Sequence, residues 1–456
     1  MSPALSYSYS RPGAAILSRG LALLVPLLLG VYWFIYQADT DLAIRFLRPA
    51  ILFAALLAAL VWTRPALTHA ELTLGRILAA MCVVLLVPSL AATSPSRALA
   101  DWLKMAFLCV IALLICRALR DQGTARAFGR GLIVASILGV ILIVYFYITL
   151  VGLTLPTYQS ARILKATALL HANLPLNAAA FSCVYAYVCG MCLLPPRRAL
   201  WWLGVLVFTV STVLTGSRAP VAILLASALA LGLANGLVSR HFPTQFFTWL
   251  AIFSLVAALI IATQVVTFAQ MSKATEGRWD LWSVAWQKFT ERPLFGYGFD
   301  SWRDDLVSRL PGEYRLTSYD AINLAGGYHS EYLTLLAEQG LVGLFPVIAL
   351  FVFLLHSSWR LAFERTATWR NGQWALFGCI FLLLRAGVEA PGLFGYGQEP
   401  ADYLAFIFLA IVVSRFSAEE DFWKWAQSQQ QKYSDVPDRW VGRIGRGRRY
   451  AVGPVA

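Results

Sequence analysis

One apolar run after another makes up this chain, most of them long enough to cross a bilayer and separated from the next by a short polar break. A spanning helix needs about 20 mostly apolar residues, because in hydrocarbon every backbone N–H and C=O has to be bonded within the segment. On that criterion spans fall near Ala14 to Tyr36, Phe46 to Trp62, Leu72 to Ala92, Leu99 to Cys116, Phe128 to Leu153 and Leu176 to Leu194. They continue near Ala199 to Leu214, Ala219 to Leu237, Phe246 to Phe268, Leu341 to Phe363, Trp374 to Pro391 and Tyr403 to Phe416. The predicted fold is an all-α polytopic membrane protein of about 12 transmembrane helices. Composition excludes the soluble alternative: 13% of residues are charged and the mean hydropathy is +0.65, against the roughly 25% charged residues of soluble domains.

A formal net charge of +13 raises the question of nucleic acid, and the placement of the cations answers it. Lys and Arg concentrate in every second connection, at Arg64, at Arg117, Arg120, Arg126 and Arg130, at Arg197 and Arg198, at Arg240, and at Arg360, Arg365 and Arg370. That alternation is a topology signal and predicts no nucleic-acid partner: these loops and both termini are expected to be cytoplasmic. The basic tail after residue 416 then lies inside the cell, where it can touch anionic lipid. All seven cysteines fall inside apolar runs, so they read as small membrane hydrophobes and not as a disulfide framework. No cleavable signal peptide is expected, since the apolar stretch after Arg19 is of span length.

With that orientation, the domain plan is residues 1–268 as transmembrane helices 1 to 9, 269–340 as one long helical periplasmic loop between spans 9 and 10, 341–416 as helices 10 to 12, and 417–456 as the cytoplasmic tail. The informative cations are those on the opposite, periplasmic side, where topology gives no reason for them: Arg162, Lys165, Arg218 and Arg278. Arg218 sits in TGSRAP, in the turn between two apolar spans. An arginine there either snorkels to the headgroups or binds phosphate, to which its planar fork is matched. Arg162 and Lys165, spaced i, i+3, would share a helical face, with His171 nearby.

The long loop is too long to be structureless and should contain helices. In EGRWDLWSVAWQKF, Trp279, Trp282, Trp286 and Phe289 recur at helical spacing, which predicts an amphipathic helix in the membrane interface; sugar stacking is the alternative use of those rings. RPLFGYGFDSW is a glycine-rich turn around Tyr297, and in GGYHSEYLTLLAEQGLVGL a helix is expected to start around His329, after Tyr328, and to close or kink at Gly340. A histidine in a first helical turn stays neutral beside the positive end of the dipole, the form a general base needs. In the eleventh span Arg385 and Glu389 stand i, i+4, most simply as a salt bridge.

TGSRAP at the end of one span, EGR and PLFGYGFDSW in a long loop, and HSEYLTLLAEQGLVGLF leading into the next span together resemble the O-antigen ligase and polymerase superfamily of bacterial membrane glycan transferases, over roughly Val210 to Phe345. The resemblance implies an O-antigen ligase in the inner membrane of a Gram-negative bacterium. Such an enzyme moves polysaccharide from undecaprenyl pyrophosphate to the lipid A-core oligosaccharide on the periplasmic face, with no metal, ATP or other cofactor. It implies that Arg218 and Arg278 are the family's two arginines and His329 its essential histidine. His329 is then expected as general base, with Arg218, Arg278, Arg162 and Lys165 on the pyrophosphate, and His171, Tyr297, Tyr328 and Glu389 as lesser candidates at the site. Three rivals remain: a polymerase or protein-acceptor ligase of the same superfamily, a metal-dependent transferase using Asp39 and Asp41 in DTD, and a lipid-linked glycan transporter. The first loop is very short for the metal-dependent class, and no internal two-fold repeat supports the transporter.

Overall fold

The computed structural model describes residues 19–27, 67–92, 94–152, 176–195, 197–215, 218–238, 281–299, 301, 328, 330–363, 369–388 and 403–419. The described residues form helices and a few turns, with no strand among them. In chain order the helices are α1 (19–27), α2 (His69–Leu90), α3 (Pro95–Ala118), α4 (Gln122–Val151), α5 (Leu176–Leu193) and α6 (Arg198–Thr215). There follow α7 (Arg218–Val238), α8 (281–291), α9 (Glu331–Phe363), α10 (Trp369–Val388) and α11 (403–419). Four helices are long and apolar enough to cross a membrane, His69–Leu90, Pro95–Ala118, Gln122–Thr149 and Glu331–Phe363, and shorter apolar helices pack among them. The chain is a multi-pass membrane protein. Helices recur where the described residues overlap predicted spans, with bounds that differ by up to about six residues, and by ten at the start of α9; of the span near Ala14 to Tyr36 only residues 19–27 are described. The spans near Phe46 to Trp62 and Phe246 to Phe268, and the DTD of Asp39 and Asp41, lie outside the described residues.

Burial follows the logic of a lipid solvent. From Phe181 to Leu194 every side chain of α5 is buried, and so is every one from Leu404 to Ser414 in α11; helices apolar all round are the ones at the centre. The outer helices instead turn large apolar side chains outward, such as Val83 and Val87 on α2, Leu103 on α3, Ile141 on α4 and Phe345 on α9. In water that surface would aggregate; here it faces acyl chains. Helix α5 packs against α4, α6 and α10, helix α10 joins α9 and α7, and α2 lies between α3 and α9. All seven cysteines are free, and six of them are buried, as their apolar surroundings predicted.

One end of the bundle is closed by polar groups satisfying one another. The Thr68 hydroxyl accepts from the Glu71 N–H at 3.2 Å, and the Glu71 carboxylate accepts from the Thr68 N–H at 2.8 Å, the reciprocal capping box that starts α2. Thr68 also donates to Ser417 of α11 at 2.8 Å, and Arg120, in the turn between α3 and α4, reaches Glu71 at 3.4 Å. At the same end Arg415 donates to the Leu193 carbonyl at 3.1 Å, and the Arg360 guanidinium stacks on Phe416 at 5.0 Å. The basic turns at Arg120 and after Leu193 and the basic end of α9 therefore gather at one end, which is the alternation of Lys and Arg read from the sequence.

Candidate active site

At the opposite end of the bundle, α9 is broken. Gly340 has φ 62° and ψ −165° inside the helix, a conformation essentially restricted to glycine. An unbroken helix would send the N–H groups of Leu341 and Val342 to the carbonyls of Ala337 and Glu338. Instead they donate to the carbonyls of Pro293 and Leu294 at 2.8 and 3.0 Å. The two released carbonyls, of Ala337 and Glu338, accept from Tyr297 and Gly298 at 3.2 and 2.7 Å. The PLFGYG segment is thus a splint that takes up all four backbone groups the break exposes, each of which would cost several kcal/mol if left unbonded in an apolar environment.

Glycine is required on both sides of that exchange. A Cβ at Gly340 would lie 2.4 Å from the Leu294 oxygen, and one at Gly296, where φ is 61°, would lie 2.4 Å from the Glu338 carbonyl carbon. Gly298, with φ 90°, lets the segment press onto the end of α2, where a Cβ would be 2.3 Å from that of Ala92.

Two residues of α8 and Arg292, just after it, hold Tyr297 in the splint. The Tyr297 hydroxyl donates to Glu291, the Lys288 ammonium lies 4.8 Å from the ring centroid and the Arg292 guanidinium 4.5 Å. Lys288 is fully buried and donates to the Ser301 carbonyl at 2.8 Å. Sequence reading passed over this lysine, because a lysine on an amphipathic helix ordinarily marks the solvated face; the signal available was its i+3 and i+4 spacing from Ala285 and Val284.

Helix α8 docks mainly through its small aliphatic side chains, with Trp282 half-buried and Trp286 exposed. Leu281, Val284 and Ala285 pack with Tyr328 and Ala337, so the docking face is the small aliphatic one. Trp286 stays 54% exposed, its ring 5.2 Å from that of Phe289, on the outward face that membrane or sugar would meet; Trp279 is outside the described residues. Tyr328 is fully buried in the α8 and α9 junction.

Helix α9 begins at Glu331, two residues after the position around which the sequence places its start. The Ser330 carbonyl accepts the Thr334 N–H at 2.9 Å, and its hydroxyl lies 3.5 Å from the Leu333 N–H, so serine takes the cap that shields the first turn. Glu331 and Glu338, seven residues apart, are 4% and 1% exposed. Tyr332 donates to the Leu383 carbonyl at 2.8 Å and so ties the start of α9 to the end of α10. Two residues further along α10, Arg385 is 5% exposed, its guanidinium 5.0 Å from the Phe181 ring near the start of α5.

Helix α7 packs along α10, with Ala234 near its end clustered with Leu376 and Ala362. The pair therefore runs antiparallel, and Arg218, the first residue of α7, lies toward the α10 end that carries Arg385. Only the backbone of Arg218 is described, while Arg162, Lys165, His171, Arg278, His329 and Glu389 lie outside the described residues. What the structure brings to one end of the bundle is the starts of α5, α7 and α9, the end of α10 and the splint.

Comparison with curated proteins gives no match. A family comparison does: the family model described as O-antigen ligase covers residues 177–348. Arg218, Arg278, Tyr297, Tyr328 and His329 fall inside that stretch, and Arg162, Lys165, His171 and Glu389 outside it. From α5 through the splint and the break in α9, the chain is therefore similar to the O-antigen ligase family.

Proposed function

We propose that this protein is an O-antigen ligase of a Gram-negative inner membrane, with both termini cytoplasmic and the splinted end of the bundle facing the periplasm. The donor is O-antigen polysaccharide on undecaprenyl pyrophosphate and the acceptor is a hydroxyl of the lipid A-core oligosaccharide. The observation that carries the reading is the splinted helix break at Gly340, eleven residues after the candidate histidine in the helix that follows it, inside the stretch that matches the ligase family. A site that must hold a base near a membrane-bound pyrophosphate needs a rigid backbone at the bilayer edge, and four exchanged backbone hydrogen bonds supply one.

The chemistry asked of the site is small, because the bond from sugar to pyrophosphate is already activated. His329 takes the proton of the acceptor hydroxyl. The resulting oxygen attacks the anomeric carbon, and the bond to the pyrophosphate oxygen breaks with inversion. Arg218 and Arg278, with Arg162 and Lys165, bind the pyrophosphate and stabilise the charge developing on it. No metal, ATP or cofactor enters this scheme. Tyr297 acts through the splint, and Tyr328, His171 and Glu389 stand behind the charged groups.

A deletion strain separates ligase from polymerase. Accumulation of full-length carrier-linked polymer, with lipid A-core left bare, is the result expected of a ligase. Lipid A-core capped with single repeats would assign the protein to polymerisation, and flipping of carrier lipid by the purified protein without a covalent product would assign it to transport.

A further inference from the structure

Arg385 has a role beyond the salt bridge to which its spacing from Glu389 first assigns it. It is a buried cation in the last turn of α10, and its guanidinium stacks on Phe181 of α5 at 5.0 Å. One turn before it, Phe381 stacks on Tyr185 with centroids 5.8 Å apart, and Tyr185 stands one turn after Phe181. The facing pairs Phe181 with Arg385 and Tyr185 with Phe381 thus set a guanidinium and a phenol on successive turns at the contact of α5 and α10. The Tyr185 hydroxyl is buried and has no hydrogen-bond partner among the described residues. A buried hydroxyl without a partner costs about 1–3 kcal/mol, and beside a cation it is set to donate to an anion that the cation attracts.

The location fits a phosphate. Arg385 is two residues from the Leu383 carbonyl that receives Tyr332, and Tyr332 stands three residues after His329. Toward the same end lies the start of α7 with Arg218. The walls below are apolar: Phe381 and Phe408 pack on the Tyr185 ring, and Phe181 packs on Phe381, which suits the hydrocarbon side of a lipid phosphate.

Resting on the ligase reading, we propose that Arg385 and Tyr185 form a buried subsite for the lipid-proximal phosphate of the carrier, below the arginines that hold the sugar-bearing phosphate. Arg385 binds as a guanidinium fork and Tyr185 donates one hydrogen bond. Bilayer phospholipid offers the same phosphate chemistry, so the test includes both sources.

The full-length protein in nanodiscs is titrated with undecaprenyl pyrophosphate, undecaprenyl monophosphate and phosphatidylglycerol, for wild type, Arg385→Gln, Arg385→Lys and Tyr185→Phe, with thermal unfolding recorded in parallel. Arg385→Gln is expected to weaken both carrier lipids about tenfold or more, with Arg385→Lys in between, Tyr185→Phe weaker by about threefold, and phosphatidylglycerol unaffected. Unchanged carrier affinity in folded Arg385→Gln overturns the subsite. Equal loss of phosphatidylglycerol and carrier also overturns it and gives the guanidinium to bulk lipid. Should the glutamine variant not fold, Arg385→Lys and Tyr185→Phe decide, and wild-type affinity in both overturns the proposal. Failure of the wild type to bind undecaprenyl pyrophosphate at all would strike the ligase reading itself, whereas tight wild-type binding with unaffected variants strikes only the subsite.

Discussion

The two ends of the bundle solve the same problem in opposite ways. Both must satisfy polar groups at the edge of an apolar slab. At one end Thr68, Glu71, Arg120 and Ser417 bond mainly to one another through side chains, a closed arrangement suited to holding helices together. At the other end the bonds run from backbone to backbone, between the break at Gly340 and the splint at residues 293–298. Buried polar atoms without hydrogen-bond partners among the described residues occur at both ends, Glu71 Oε1 at the first and the Gln339 amide at the second. The difference lies in the bonds that join the elements: side chains tie helices together at one end, and backbone splints backbone at the other.

Substitutions can break that contrast, beginning with the largest effect. Gly340→Val places a branched side chain at φ 62° and 2.4 Å from a carbonyl oxygen. A loss of about 3 kcal/mol or more is expected, seen as collapse of the monodisperse peak in detergent chromatography; a well-folded variant would remove the splint from the explanation. At the closed end, Arg120→Leu leaves the buried Glu71 carboxylate without its cation and should cost about 2 kcal/mol. Thermal unfolding measures that cost, and activity per folded molecule should stay at the wild-type level. A fall in specific activity would mean that the two ends are coupled.

Thr68→Ala removes the helix cap and the bond to Ser417, for about 1 kcal/mol, again without change in specific activity. Tyr297→Phe keeps the ring between α8 and the splint but loses the bond to Glu291. The expected cost is also about 1 kcal/mol or less, with near-normal turnover, because Tyr297 positions and does not react. A turnover loss of a hundredfold at intact stability would make Tyr297 a catalytic residue instead.

Much of the helical layout was legible because hydropathy and span length have one solution in a bilayer. The break at Gly340 was legible as well, since a glycine between two apolar halves of a helix announces a kink. Its partner was not. That PLFGYG would bond to Ala337 and Glu338 depends on two positive-φ glycines and on docking against Ala92 of α2, and local pattern carries neither. In α8 the aromatic stripe is legible as an outward, interfacial face, and Trp286 is exposed; the small aliphatic face of Leu281, Val284 and Ala285 that docks on Tyr328 and Ala337 is not, because its partners are distant in sequence. The ion pair of Arg385 with Glu389 at i+4 falls partly outside the described residues, and the contact of Arg385 with Phe181 is not legible in local spacing, because the two are far apart in sequence and close in space.

The ligase reading is tested most directly with purified protein, undecaprenyl pyrophosphate-linked glycan and rough lipopolysaccharide, in EDTA and without nucleotide, comparing wild type with His329→Ala on a lipopolysaccharide gel. A ladder from the wild type and none from the folded, donor-binding variant is the predicted result. An equal ladder from His329→Ala would remove the histidine as base, and no ladder from a folded, donor-binding wild type would contradict ligation to lipid A-core.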